Sequence, residues 1–119
     1  MSPWKVHNFL YAINGVKIAW REEGSFKVLA IAGALALLLS WWLGISPSEW
    51  TIMVLLIGLV LAAEFVNTAL EELCDMYKSD PDPHIGKIKD LAAAAVLMTS
   101  IAAFVIGLII FIPRIALLV

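Results

Sequence analysis

The chain is 119 residues long, 62% hydrophobic and only 15% charged, with a mean hydropathy of +0.94. Soluble domains run at about 45–50% apolar and about 25% charged, so a domain this small and this apolar cannot hide its surface from water. A net charge of −2 leaves no basic excess for a nucleic-acid backbone, and Cys74, the single cysteine, excludes an internal disulfide and a cysteine-built zinc site.

In chain order, residues 4–24 come first. They lack the continuous apolar core and small-residue cleavage site of a signal peptide. Phe9, Leu10, Ile13, Val16 and Trp20, with Val6 before them, recur at helical spacing opposite His7, Asn14, Lys17 and Arg21. The pattern predicts an amphipathic helix lying in the membrane surface. The first span, 26–43, is interrupted only by Lys27, which can snorkel, and closes on the interfacial pair Trp41 and Trp42. A loop from Gly44 to Ser48 leads to the second span, 49–76, with Ser48 as its expected cap and Glu49 in its first turn. The third span, 87–112, is apolar from Leu91 onward and is expected to stop at Pro113. Its small residues, the alanines at 92–95 with Thr99, Ser100, Ala103 and Gly107, predict close helix contact and partners within the membrane. The expectation is an all-α membrane protein forming one domain over 1–119. Three spans enclose a polar pocket poorly, so a homo-oligomer with sites between protomers follows.

Lys5, Lys17, Arg21 and Lys27 precede or open the first span, Lys78, Lys87 and Lys89 cluster between the second and third, and Arg114 alone lies in the tail. The positive-inside rule therefore puts the N-terminus and the second loop in the cytoplasm and the C-terminus outside.

The informative segment runs from Glu64 to Asp75. Glu64, Asn67, Thr68, Glu71 and Asp75 are three or four residues apart and form one polar stripe on an otherwise apolar helix. A carboxylate near membrane depth costs at least about 2.5–3.5 kcal/mol on insertion scales, so several together point to a site; for Glu72 and Asp75 a span end emerging into water is an equal reading. Clustered carboxylates need a cation among them, and oxygen ligands suit Mg²⁺. Glu23, at the end of the surface helix, is placed to reach the head of the stripe. Lys87, Lys89 and Asp90 open the third span, either as an interfacial anchor or as a phosphate contact across the loop. His7 and His84 read as interfacial polar residues. No glycine-rich phosphate loop of either familiar kind occurs. Residue types and spacing thus reach a metal-binding acidic site at the cytoplasmic membrane face, and leave open catalysis or a small cation channel with an acidic ion path.

The wording Glu64-Phe-Val-Asn67-Thr68-Ala-Leu-Glu71 followed by Asp75, then Gly86-Lys87-Ile-Lys89-Asp90-Leu-Ala, closely resembles the signature of the small prokaryotic diacylglycerol kinase and undecaprenol kinase family. Asn14-Gly15 and Trp20-Arg-Glu-Glu23 extend the resemblance over nearly the whole chain. It implies a homotrimer of three-span protomers in the bacterial inner membrane that transfers the γ-phosphoryl of MgATP to a membrane lipid hydroxyl. Carried onto this chain, it implies Glu64 as general base supported by Asn67, and Glu23 and Glu71 as Mg²⁺ ligands. It further implies Tyr11, Glu23, Glu71, Asp75, Lys89 and Asp90 around the nucleotide, and Asn14 with Glu64 on the lipid side. The segment Asp80-Pro81-Asp82-Pro83-His84 departs from the family wording, so no adenine contact is assigned there. Val-Asn-Thr-Ala, the alanine-rich third span and Phe-Ile-Pro-Arg resemble the undecaprenol branch more than the diacylglycerol branch.

Overall fold

The computed structural model describes residues 3–77 and 81–119 and forms four helices: α1 (Pro3–Glu22), α2 (Gly24–Leu43), α3 (Pro47–Tyr77) and α4 (Pro83–Ala116). Lys78 and Asp80, together with the side chains of Lys5 and Val6, lie outside the described residues. The three long helices α2, α3 and α4 are each long and apolar enough to cross a membrane. Only 11%, 22% and 6% of their most apolar windows are buried within the chain, so lipid or another chain must cover the rest.

The ends of these helices follow local chemistry. The surface helix was expected to reach residue 24, but α1 ends at Glu22 and Glu23 alone separates it from α2. Glu23 has extended geometry (φ −113°, ψ 104°); its N–H closes α1 on Ala19 O at 2.9 Å and its carbonyl accepts from Lys27 N at 3.3 Å. At the other end of α2, Gly44 adopts φ +65°, and Gly44 N and Ile45 N bond Trp41 O and Ser40 O in a Schellman arrangement. Ser48 is not the cap of α3. Ser46 Oγ accepts from Glu49 N at 3.3 Å while Glu49 Oε1 accepts from Ser46 N at 2.9 Å, a capping box with Pro47 as the first helical residue.

The third span also starts earlier than 87. Asp82 Oδ1 accepts from His84 N at 2.8 Å and Ile85 N at 3.2 Å, so α4 begins at Pro83. Nor does Pro113 stop it, since α4 continues to Ala116. Proline removes a single bond one turn from the end, and Arg114 ties that turn to Gly44 O at 3.2 Å and to Glu49.

The main pairing is between α3 and α4, with α2 laid on α3, while α1 touches chiefly α2. Gly33 lets α2 approach closely: a Cβ there would stand 3.0 Å from Ile57 Cγ2. Ile45, Met53 and Ile110 form a small core at the Gly44 end. A cavity of about 330 Å³ separates α2, α3 and α4, and the small residues Ser100, Ala103 and Gly107 of α4 line it. The alanines at 93–95 face outward instead. The apolar residues Phe9, Leu10, Ile13, Val16 and Trp20 of α1 are all exposed, as a helix resting on a membrane surface requires.

Candidate active site

A helix of 31 residues is about 46 Å long against a hydrocarbon thickness of about 30 Å, so α3 overhangs the membrane. Glu64 lies 17 residues beyond Pro47, about 26 Å along the axis, close to the length of helix that a hydrocarbon layer of about 30 Å accommodates. The polar stripe occupies this last part of α3.

Glu64 is 4% exposed and Asn67 8% exposed, both in the helix wall facing neighbouring elements. Glu64 Oε1 accepts from Ser25 Oγ at 2.7 Å and from Thr68 Oγ1 at 3.4 Å. Asn67 Nδ2 donates to Glu71 Oε1 at 3.1 Å, one turn on. Asn67 Oδ1 is buried with no partner among the described residues. A buried acceptor without a donor carries a desolvation penalty of about 1–3 kcal/mol unless a ligand or water reaches it.

Glu23 enters the cluster from the α1–α2 break. Desolvation first, and then the charges of Glu71, Glu72, Glu64 and Glu22, push its carboxyl up from its ordinary value. A site whose carboxylates repel one another in this way fits a hard divalent cation, which would offset their charge. Among the described residues no three ligating side chains converge closely enough to cage a metal. Two carboxylates supplemented by phosphate oxygens suit Mg²⁺, which binds that way rather than in all-protein cages.

On the facing side of the hairpin, Lys89 Nζ donates to Asp75 Oδ1 at 2.5 Å. Asp75 and Lys89, two of the residues expected around the nucleotide, thus meet each other where α3 and α4 overhang. Asp90 and Lys87 are exposed beside this pair. Tyr11 and Asn14 are not brought to the cluster within one chain. Both are exposed on α1, and Tyr11, 69% exposed, has the His7 ring 6.4 Å away as its aromatic neighbour. Twelve residues separate Tyr11 from Glu23, about 18 Å of helix.

Ser25 is not among the residues that the sequence pattern assigns to the site. Its signal is a polar side chain in the first turn of an apolar span, able to donate to a buried carboxylate on a neighbouring helix.

The family model described as prokaryotic diacylglycerol kinase matches residues 10–111. The undecaprenol kinase of Bacillus subtilis (strain 168) is 34% identical over 107 residues, covering 90% of this chain and 87% of the relative. The diacylglycerol kinase of Escherichia coli (strain K12) is 30% identical over 95 residues, 80% of this chain and 78% of its own length. That of Helicobacter pylori (strain ATCC 700392 / 26695) is 31% identical over 88 residues, 74% and 69%. The matched region contains Glu23, the whole stripe and the Lys89–Asp90 pair. The chain belongs to the prokaryotic diacylglycerol kinase family and is a membrane lipid kinase.

Proposed function

We propose that this kinase transfers the γ-phosphoryl group of ATP, with Mg²⁺, to the hydroxyl of undecaprenol in the bacterial inner membrane. The observation that carries the reading is the buried Glu64 carboxylate at the end of a span, beside Glu23 and Glu71. The lipid oxygen attacks the γ-phosphorus, Glu64 takes the hydroxyl proton, and the bond to the β–γ bridging oxygen breaks to release ADP. Glu23 and Glu71 would hold Mg²⁺, whose charge offsets that of the transferring group. Asn67, expected to support Glu64, instead donates its amide to Glu71 and holds that carboxylate in orientation. Lys89 exchanges part of its bond with Asp75 for the nucleotide phosphates, and Asp90, next in sequence, accepts hydrogen bonds from donor groups of the nucleotide.

Undecaprenol is favoured as acceptor by the 34% identity to an undecaprenol kinase over 90% of the chain. A homotrimer with sites shared between protomers is supported by the sparsely covered spans and by the separation of Tyr11 and Asn14 from the acids of their own chain. In that assembly the N-terminus and the acidic cluster face the cytoplasm, where ATP is found. The earlier alternative of a cation path is set aside because the chain is a lipid kinase.

The test offers equal amounts of undecaprenol and diacylglycerol to purified protein in mixed micelles with γ-labelled ATP and Mg²⁺. The expected product is labelled undecaprenyl phosphate, with Glu64→Gln inactive yet normally assembled. Label confined to phosphatidic acid would transfer the assignment to the diacylglycerol branch. A Glu64→Gln variant at parental rate would refute the base.

A further inference from the structure

Glu64 is a buried carboxylate whose two strongest neighbours come from different helices. Thr68 is one turn away on α3 and its contact is long, 3.4 Å. Ser25 is 39 positions away, in the first turn of α2, and its Oγ donates to Oε1 at 2.7 Å, the length of a charge-assisted O–H···O⁻ bond. The adjoining residues repeat the contact in apolar form: Phe26, 4% exposed, packs on Phe65 with ring centroids 4.8 Å apart and planes at 46°. Two successive residues of α2 therefore meet two successive residues of α3. The aromatic pair sets the approach of the helices, and the hydroxyl sets the plane of the carboxylate.

We infer that Ser25 is a positioning residue for phosphoryl transfer, holding the Glu64 carboxylate by Oε1 so that Oε2 faces the incoming lipid hydroxyl. The inference rests on Glu64 being the base. Both hydrogen bonds to Glu64 end on Oε1, and no donor among the described residues reaches Oε2. A carboxylate anchored through one oxygen has its other oxygen fixed in direction, which a proton acceptor in near-attack geometry requires. Ser25 also stands two residues after Glu23, in the first turn of the helix that follows the break between α1 and α2. One turn of backbone thus carries both a group for the nucleotide side and the group that orients the base, so the two are set by one short segment. Ser25 itself stays chemically unchanged: it donates to a carboxylate before the step and to a carboxylic acid oxygen after it.

The test compares Ser25→Ala, Ser25→Thr and Glu64→Gln in the full chain, with labelled ATP and the preferred lipid, recording kcat, both KM values and thermal midpoints. Ser25→Ala is expected to lower kcat about tenfold with KM for ATP changed less than about twofold, the scale of one charge-assisted hydrogen bond lost in the transition state. Ser25→Thr keeps the hydroxyl and is expected to restore most of the rate. A Ser25→Ala enzyme at parental kcat beside an inactive Glu64→Gln overturns the inference alone, as does a Ser25→Thr enzyme as slow as Ser25→Ala at an equal thermal midpoint. A rate that survives in Glu64→Gln overturns the base assignment and this inference with it.

Discussion

Asn67 presents both its polar groups to the cluster but satisfies only one. Its amide holds Glu71 Oε1 at 3.1 Å, and its carbonyl oxygen has no partner among the described residues. Glu71 is consequently the carboxylate of the stripe whose direction is set by a neighbour on its own helix, while Glu64 is set from α2. This division separates their expected phenotypes. Glu71→Gln removes a negative charge that would hold Mg²⁺ but keeps a side chain of the same shape. KM for MgATP is expected to rise about tenfold or more, with a smaller fall in kcat at saturation, and excess Mg²⁺ is expected to recover part of the loss. Titrating ATP at several fixed Mg²⁺ concentrations checks this; an unchanged KM would exclude Glu71 from the metal. The stripe itself was legible in the sequence because contacts one turn apart on a helix repeat every three or four residues. The bond from Ser25 to Glu64 was not, because it depends on how two helices pack across 39 positions.

At the scale of elements, existence and apolar character were readable, while ends were decided by single side chains. Capping pairs such as Ser46 with Glu49 have a local signature, yet Ser48 offers a rival serine two residues on, and geometry alone selects between them. Asp82 likewise lengthens α4 toward α3, which brings Lys89 alongside Asp75. The close approach of α2 to α3 is the packing feature on which Ser25 depends, and it passes through Gly33. A valine there would drive its side chain into Ile57, where even a bare Cβ stands 3.0 Å from Cγ2. Gly33→Val is expected to destabilise the bundle by about 1–3 kcal/mol despite the better helix propensity of valine. Adding Ile57→Ala should recover part of that loss, since it empties the space the valine needs. Thermal unfolding in a fixed detergent measures both; a Gly33→Val protein as stable as the parent would mean the helices separate without penalty.

The molecule as a whole keeps chemistry and closure at opposite ends. The acids and Lys89 gather where α3 and α4 overhang, and Glu49, Arg114 and Gly44 gather at the other end, about 22 Å of helix from Glu49 to Glu64. Arg114 is the lone basic residue of the tail, and Glu49 is the acid in the first turn of α3. In the fold they are each other's partner, and the same guanidinium also holds Gly44 O, so it joins the end of α2, the start of α3 and the last turn of α4. No residue of that cluster approaches the acidic stripe. Arg114→Gln should therefore loosen the bundle without touching phosphoryl transfer: it leaves Glu49 with only its Ser46 cap and frees the turn that Pro113 already weakens. The expected result is a thermal midpoint lower by a few degrees, with kcat and KM for ATP within about twofold of the parent below that temperature. Equal midpoints would show that the ion pair contributes nothing in the membrane. A lowered kcat at full folding would show instead that the two ends are mechanically coupled through α3.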